Sequence, residues 1–324
     1  MLPELASTLR AALGVQHKRD IQAAASAFSD VRGGPWGNAT VRLGDDTAAI
    51  PDGEGYLLFA AEGMWPELVA TEPRFAGYCA VMVNASDVYS MGGRPLAIVD
   101  ALFATSGDAA APVLAGMRDA AARFGVPVVG GHTNLHSPYP ALAAAVLGRA
   151  KQLLTSFDAR PGDVLVAAYD LRGQMHPKHA FWNASLEGPV DRLRGDYEVL
   201  PAIAEAGLAA AAKDVSMGGL VGTTLMLLEA SGVGAELELE AIPRPVGVPW
   251  ERWLLAFPSY GFLLSVAPAN VARVCELFSS RGLAAAAVGR VDASRKLTLA
   301  SGGAREEIWD LGAEALTGFD GGRT

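Results

Sequence analysis

The stretch at residues 84–95, NASDVYSMGGRP, constrains the fold most strongly because it has the pattern of a long helix that stops abruptly. Residues 75–83 before it are mostly apolar, and Asn84 and Asp87 lie three positions apart. A helix would therefore direct both side chains the same way. The two glycines and the proline that follow favour a left-handed turn and prevent the helix from continuing. Asp87 is then either a ligand for a bound group or a buried carboxylate held by hydrogen bonds at a helix end.

Length and composition limit the class of protein. A chain of 324 residues is longer than one hydrophobic core usually supports, and its 51% hydrophobic content suffices for two. The net charge of −9 argues against a nucleic-acid partner, which needs clustered Lys and Arg. No apolar run is long enough to cross a membrane. Cys79 and Cys275 lie far apart in apolar patterns, which predicts reduced core thiols and a cytoplasmic location.

Acidic residues stand at the boundaries of other predicted elements. Asp45 and Asp46 follow Gly44 and precede an apolar run, where one metal ion could neutralise two charges that otherwise repel. The same residues could form an ordinary Asp-rich turn. Glu62 ends the strand predicted at 56–61, where it is either a ligand or the cap of the next turn.

Two glycine pairs are suited to contact with an anion. Gly130 and Gly131 are predicted to form a turn after a short strand, where backbone amides can approach an anion and Thr133 can donate its hydroxyl proton. His132 beside them is either a ligand or a loop residue. Asp214 precedes a glycine pair that opens another predicted helix, so the first amides of that helix could also face an anion.

The order of predicted elements indicates a mixed α+β layer in the N-terminal half, since strands and helices do not alternate regularly. A turn at 159–163 separates two apolar strands and marks a domain boundary. The predicted organisation is an N-terminal helical segment at 1–40, a domain at 41–155 and a second domain at 156–324. The segment at 170–195, rich in proline, glycine and charge, is predicted to be a long loop that contacts substrate or only connects elements.

Separated carboxylates of this kind suit Mg²⁺ held together with substrate phosphates, because Mg²⁺ takes only one or two carboxylates per ion. Neither the Walker pattern nor the protein-kinase motifs occur, so a phosphate site would be of another type. The chain resembles the aminoimidazole ribonucleotide synthetase superfamily, which includes thiamine-monophosphate kinase, selenophosphate synthetase and a hydrogenase-maturation relative. Five motifs in the family's order carry this resemblance, at 44–49, 84–95, 130–133, 160–163 and 214–216.

The resemblance implies an α+β, two-domain synthetase-like fold. The N-terminal mixed sheets of two protomers would form a dimer-spanning β-barrel, and the C-terminal domain would be α/β. The resemblance also implies a homodimer that binds ATP and Mg²⁺ and acts on a small molecule. The metal ligands that it implies are Asp45, Asp46, Glu62, Asp87 and Asp214. The nucleotide contacts that it implies are Asn84, Asp87, Gly130, Gly131, His132 and Thr133.

Departures from the family's motifs bear on the reaction. Glu62 stands where the family usually has Asp, which keeps the charge but lengthens the side chain. Selenophosphate synthetase has a reactive N-terminal Cys or selenocysteine, whereas no cysteine precedes Cys79 here. Met217 replaces the second Asp of the thiamine-monophosphate kinase motif, and FPSYG at 257–261 replaces its acidic stretch. Neither of these two activities is therefore expected.

The sequence predicts an ATP- and Mg²⁺-dependent enzyme, either a phosphotransferase or a ligase of the synthetase type. A small-molecule nucleophile of unknown identity would attack the γ-phosphate, and no catalytic residue is assigned. The alternative is a nucleotide-binding, catalytically inactive subunit of a multi-protein biosynthetic pathway, which the altered acceptor motifs favour. A structural α/β scaffold without nucleotide is the third possibility.

Overall fold

The structure, a computed structural model, describes residues 2–28 and 41–319. The α-helices are α1 (Leu2–Ala11), α2 (Leu13–Gln16), α3 (Ile21–Phe28), α4 (Pro66–Thr71), α5 (Pro73–Ser90), α6 (Gly107–Phe124), α7 (Val190–Tyr197), α8 (Val199–Glu205), α9 (Gly219–Ser231), α10 (Trp250–Trp253) and α11 (Val271–Ser279). The strands are β1 (Ala48–Asp52), β2 (Gly55–Gly63), β3 (Arg94–Phe103), β4 (Val128–Asn134), β5 (Ala141–Ala150), β6 (Val164–Tyr169), β7 (Gln174–Met175), β8 (Phe181–Asn183), β9 (Ala211–Asp214), β10 (Gly234–Glu238), β11 (Phe257–Pro258), β12 (Gly261–Val266), β13 (Ala284–Asp292), β14 (Lys296–Ser301) and β15 (Ala304–Asp310).

The described residues divide into two compact units, each with its own sheet. The five-strand unit comprises Thr47–Gln152 and Gly188–Pro201. The seven-strand unit comprises residues 2–28 and 41–46, Leu153–Glu187 and residues 202–319. The mixed α+β character and the two-domain organisation predicted from the sequence are confirmed. The predicted domain boundaries stay predictions, because the compact units are discontinuous in sequence.

The sheet of the five-strand unit has the order β1-β2-β5-β3-β4, with β3 and β4 parallel and the other pairs antiparallel. The helices α5 and α6 pack against each other, and α5 contacts β2, β3 and β5. Inward side chains of these strands, such as Leu58, Ile98 and Val146, are fully buried. Among the described residues of the single chain, this five-stranded sheet is open and does not close into a barrel. The dimer-spanning barrel therefore stays a prediction.

Helix α5 is held against the sheet and against α6 by its small and apolar residues. It is buried on almost every side, with Ala76, Ala80 and Ala85 at 0% exposure. Gly77 of α5 lies against the backbone of α6, where a Cβ atom would overlap the carbonyl oxygen of Val113. Close helix approach of this kind leaves little freedom for α5 to shift. As predicted, α5 ends just before Gly92, whose φ of 75° is left-handed.

The sheet of the seven-strand unit has the order β15-β14-β10-β13-β6-β12-β9 and is antiparallel except for the β10–β14 pair. Every residue of β6 and β12 is buried. One core cluster joins side chains of α1, α9 and the sheet, including Leu9, Leu225 and Leu263. The short strands β7, β8 and β11 form a separate three-stranded sheet.

Several sequence predictions need correction. The predicted turn at Gly130 and Gly131 is wrong, because both residues lie inside β4. The run at 202–212 predicts a helix, but α8 ends at Glu205 and 211–214 forms β9, since an alanine-rich run has no distinguishing period. The alternation of Glu with apolar residues at 235–239 predicts an exposed strand, but β10 in this stretch is an interior strand that is paired on both sides.

Other predictions concern the N-terminus, the long loop and the membrane. Of the predicted helical segment at 1–40, the described residues 2–28 are largely helical, and 29–40 lie outside the described residues. The predicted loop at 170–195 contains β7, β8 and most of α7 instead of being irregular throughout. Among the described residues, no helix combines the length and apolar character needed to span a membrane. Cys79 and Cys275 are both free thiols.

Candidate functional site

The end of α5 carries Asn84 in a fully buried position and places Asp87 about one turn further on. Asn84 Nδ2 donates to the carbonyl of Ala80 at 2.8 Å and to that of Ala144 on β5 at 3.3 Å. Among the described residues, Asn84 Oδ1 has no hydrogen-bond partner although it is buried. A buried amide oxygen of this kind costs free energy unless a donor or a cation binds it.

The sheet beneath this helix carries two carboxylates in one row. Glu62 of β2 and Asp100 of β3 both pair with Ala144 of β5, and Asp100 also pairs with Gly131 of β4. Asp100 lies two residues from the buried Ile98, so its side chain is on the face that α5 covers. Asn84 of α5 donates to the carbonyl of the same Ala144, so its side-chain amide lies over this row of carboxylates.

Asp100 is a site residue that the sequence prediction missed. Its Oδ2 is buried and has no hydrogen-bond partner within residues 2–28 and 41–319. Burial raises the pKa of the Asp100 carboxyl above its ordinary value. The signal in the sequence is a single carboxylate that interrupts the apolar run of β3, because charged residues seldom occupy buried strand positions without a partner.

These residues fit a hard divalent cation. We use the name Asn84 cluster for Asn84, Asp87, Asp100 and Glu62, of which the first two are buried and the last is exposed. Amide and carboxylate oxygens are the ligands that Mg²⁺ takes from proteins. Two buried oxygen atoms in this cluster, Asn84 Oδ1 and Asp100 Oδ2, have no protein partner in the described part of the chain. The donor set therefore suits Mg²⁺ chemically.

The predicted nucleotide contacts at 130–133 lie on β4, the last strand of the five-stranded sheet. Gly130, Gly131, His132 and Thr133 are all exposed. The ring of His132 lies 5.9 Å from that of Phe103 on β3. An edge strand has backbone N–H groups on its outer side that no neighbouring strand uses. Exposed edge amides, rather than the predicted turn, are thus what this stretch offers to an anion.

The seven-strand unit brings the remaining predicted carboxylates together. Asp45 accepts hydrogen bonds from the backbone N–H of Ser156, at 3.1 Å to each oxygen, and from the hydroxyl of Ser156 at 2.5 Å. Asp46 Oδ2 accepts from the backbone N–H of Asp214 at 3.4 Å. Asp214 is buried at the end of β9, and its carbonyl accepts from the hydroxyl of Thr223.

Lys213 is a residue of this group that the sequence prediction missed. Its side chain is 2% exposed, and its ammonium forms an ion pair with Asp46 and donates to the hydroxyl of Ser156 at 3.0 Å. Burial lowers the pKa of Lys213, but the charges of Asp46 and Asp45 outweigh burial and raise it overall. The signal is a lysine within an alanine-rich strand directly before Asp214. We use the name Asp46 cluster for Asp45, Asp46, Ser156, Lys213 and Asp214.

The described part of the long segment after β6 is tied to the seven-strand unit by specific contacts. Trp182 Nε1 donates to the carbonyl of Asp170 at 2.8 Å, and the rings of His176 and His179 stack at 4.8 Å. The hydroxyl of Ser259 accepts from the backbone N–H of Ala184. A role of this segment in substrate contact stays a prediction.

Comparison with known proteins gives matches over both units. Residues 44–150 match the family described as AIR synthase related protein, N-terminal domain, and residues 160–301 match its C-terminal domain. The chain is 50% identical over 322 residues to the Uncharacterized protein sll0787 of Synechocystis sp., covering 99% of each. It is 31% identical over 214 residues to a Selenide, water dikinase of Geobacter metallireducens, covering 63% of this chain and 62% of that protein.

A solved structure titled T. maritima PurL complexed with ATP is similar in fold. Its TM-score is 0.68 at 23% sequence identity, and the match covers 86% of this chain and 46% of that one. This likeness shows the fold of the chain. The match spans about half of the larger protein.

Proposed function

This chain belongs to the AIR synthase related protein family, and we propose that it is an ATP- and Mg²⁺-dependent enzyme. It activates a small molecule by nucleophilic attack on the γ-phosphate, as a kinase or a synthetase. The names of two relatives, a phosphoribosylformylglycinamidine synthase subunit and a dikinase, support an enzyme of this kind. The fold match to T. maritima PurL complexed with ATP supports the nucleotide.

The Asn84 cluster is the observation that carries this proposal. It combines a buried amide oxygen and a buried carboxylate oxygen without protein partners in the described residues, beside the helix-end Asp87. If these residues served only to form hydrogen bonds within the protein, both oxygen atoms would have partners, because a buried polar atom without one costs free energy. A divalent cation bound here would satisfy both.

Bound Mg²⁺-ATP would supply an electrophilic phosphoryl group whose developing charge the metal neutralises. In the five-strand unit, Asp87, Asp100 and Glu62 would hold the metal, with the amide oxygen of Asn84 beside them. The edge amides of β4 at Gly130 and Gly131, with Thr133 and His132, would contact phosphate. In the seven-strand unit, Asp214 is our candidate metal ligand. These residues bind and orient, which is most of what phosphoryl transfer requires.

The test is calorimetric titration with a non-hydrolysable ATP analogue, with and without Mg²⁺. We expect binding that requires Mg²⁺, and we expect Asp87→Asn and Asp100→Asn each to weaken it about tenfold or more, since each removes a charged ligand. Asp119→Asn is the matched control, because Asp119 forms an exposed ion pair with Arg74 on the same unit.

The outcomes of this titration separate the proposed function from its alternatives. Absence of binding at millimolar nucleotide would refute the proposal. Unchanged affinity in Asp87→Asn and Asp100→Asn would move the site elsewhere. Binding of Mg²⁺-ATP without ADP or phosphate release, for any acceptor or partner supplied, would favour the catalytically inactive subunit.

We also propose that the protein is a homodimer that forms through the open face of the five-stranded sheet. On the face opposite α5, Phe59, Val99 and Leu147 are 51%, 43% and 38% exposed. Phe59 pairs directly with Leu147, so their side chains are neighbours. A contiguous apolar face of this kind on an ordered sheet is typical of an interface between protein chains. The family resemblance supports the same face as the wall of a barrel shared by two protomers.

A further inference from the structure

Lys213 is placed where a cation would otherwise be required. Asp45 and Asp46 are adjacent carboxylates, and both exert a negative potential at the Lys213 ammonium. The ammonium contacts Asp46 directly and reaches Asp45 through the hydroxyl of Ser156, which bonds both residues. Lys213 is 2% exposed and the side chain of Asp46 is 6% exposed, so water does not screen this interaction.

The oxygen atoms of the two carboxylates are already used. Both oxygens of Asp45 accept from Ser156. One oxygen of Asp46 accepts from Lys213, and the other accepts from the backbone N–H of Asp214. A divalent ion at this pair would have to displace these donors and stand beside a buried ammonium of the same sign. The residues of this pair therefore do not fit a metal ion, in contrast to those of the Asn84 cluster.

We infer that Lys213 is a built-in counter-ion that replaces a divalent cation at the Asp45–Asp46 pair. The lysine neutralises one of the two charges permanently and holds the acidic loop against β9 through Asp46. Lys213 is then a positioning residue, since it acts through the two carboxylates and through the backbone N–H of Asp214, which donates to Asp46. This inference rests on the proposed function, in which carboxylates hold the Mg²⁺ that accompanies ATP. It excludes Asp45 and Asp46 from the metal ligands and leaves those named in the proposed function.

Counting bound Mn²⁺ by electron paramagnetic resonance tests this inference without nucleotide. With Lys213 intact, the single substitution Asp46→Asn should leave the number of bound Mn²⁺ ions the same as in the parent protein. Lys213→Met should bind one additional ion, because the two carboxylates then lose the charge of Lys213. Lys213→Met combined with Asp46→Asn should lose that additional ion, because only one carboxylate remains.

Thermal unfolding gives a second measurement that does not depend on activity. Saturating Mg²⁺ should raise the Tm of Lys213→Met by about 5 °C more than that of the parent, since a ligand that binds only the folded state stabilises it. Lys296→Met is the matched control, because Lys296 also bridges two carboxylates, Glu307 and Asp310, but is exposed. Its Tm should show no such additional response to Mg²⁺.

Two results would overturn the inference. One is a loss of a bound Mn²⁺ ion in Asp46→Asn with Lys213 intact, which would show that the pair binds metal in the parent protein. The other is a folded Lys213→Met variant with neither an additional ion nor an additional Mg²⁺-dependent rise in Tm. If Lys213→Met does not fold, the Asp46→Asn count decides alone. Failure of nucleotide binding would refute the proposed function but would leave these metal counts interpretable.

Discussion

Asp45 and Asp46 are neighbours in sequence but have different electrostatic environments. The pKa of Asp45 is raised to about 6, chiefly by burial and also by the charge of the adjacent Asp46, against the opposing effect of the Lys213 charge. Asp46 instead forms the direct ion pair with Lys213. The two adjacent carboxylates thus differ in their electrostatics because the buried Lys213 ammonium contacts Asp46 directly and Asp45 only through Ser156.

The raised pKa of Asp45 predicts a specific pH dependence of stability. Between its ordinary value of 3.8 and about 6, the folded state holds a proton that the unfolded state has lost. The free energy of unfolding therefore falls as pH rises through this window. Asp45→Asn removes the titration, so its stability relative to the parent should increase from pH 4 to pH 7, on the order of 1–2 kcal/mol.

Urea unfolding of both proteins at several pH values between 4 and 7 measures this difference. Asp292→Asn serves as the control, because Asp292 is an exposed residue at the end of β13 in the same unit. A stability difference between Asp45→Asn and the parent that stays constant or falls with rising pH would contradict the expectation.

Single residues were the hardest level to predict from the sequence. The predicted carboxylates could be located because each stands at the boundary of a predicted element, near glycine and apolar sequence. Asp100 and Lys213 lack that context, since each interrupts an apolar strand and gains meaning only from what the fold places opposite it. Ala144 pairs with Asp100 and accepts a hydrogen bond from Asn84, although Ala144 lies 60 positions after Asn84 in the sequence. No local sequence pattern encodes such a contact.

At the level of elements, α5 was predictable because its apolar run, glycines and proline all indicate the same structure. The strand β4 was not, because Gly130 and Gly131 are the residues expected of a turn. Their strand conformation comes from tertiary pairing, since β3 aligns Asp100 with Gly131 and His132 with Ala101. Pairing with a neighbouring strand overrides a local turn preference when the partner strand is already fixed by the core.

The close approach of α5 and α6 predicts the effect of one added methyl group. In Gly77→Ala, the new Cβ would overlap the carbonyl oxygen of Val113, so the helices must separate or shift. We expect a loss of about 1–3 kcal/mol. Gly107→Ala is the control, because Gly107 begins α6 and has no atom within 4 Å of the corresponding position. That variant should be neutral or more stable by up to about 1 kcal/mol.

Thermal unfolding monitored by circular dichroism distinguishes these two variants. A lower Tm for Gly77→Ala together with an equal or higher Tm for Gly107→Ala would support tight α5–α6 packing. Equal losses in the two variants would show that glycine at either position has only a general effect on helix stability.

At the scale of the whole molecule, length and composition sufficed to predict two domains, and the order of elements predicted the mixed α+β layer of the N-terminal half. The discontinuity of the two units was not predictable, because Gly188–Pro201 joins the five-strand unit through contacts distant in sequence. For example, the ring of Tyr197 lies 4.7 Å from that of Tyr89 on α5, at a tilt, and the Tyr197 hydroxyl hydrogen-bonds the hydroxyl of Ser86. Such contacts depend on where the fold places α5, and local periodicity carries no information about them.

The open face of the five-stranded sheet leads to the prediction for the assembled protein. Leu147 lies on β5, the central strand, with its side chain on the exposed apolar face. In a single chain, Leu147→Glu places a charge in water and should leave the fold intact. In a dimer built through this face, the same charge would be buried without a partner, which costs several kcal/mol and should dissociate the protomers.

Light scattering coupled to size-exclusion chromatography measures the mass directly. We expect the parent protein at about twice 33.6 kDa and Leu147→Glu near 33.6 kDa, with unchanged circular dichroism. Val246→Glu is the control, because Val246 is a fully exposed valine of the seven-strand unit and should leave the dimer intact. A parent protein that elutes as a monomer, or a Leu147→Glu variant that stays dimeric, would exclude this face as the interface. If only Leu147→Glu dissociates, the apolar face opposite α5 is the surface that joins the two copies.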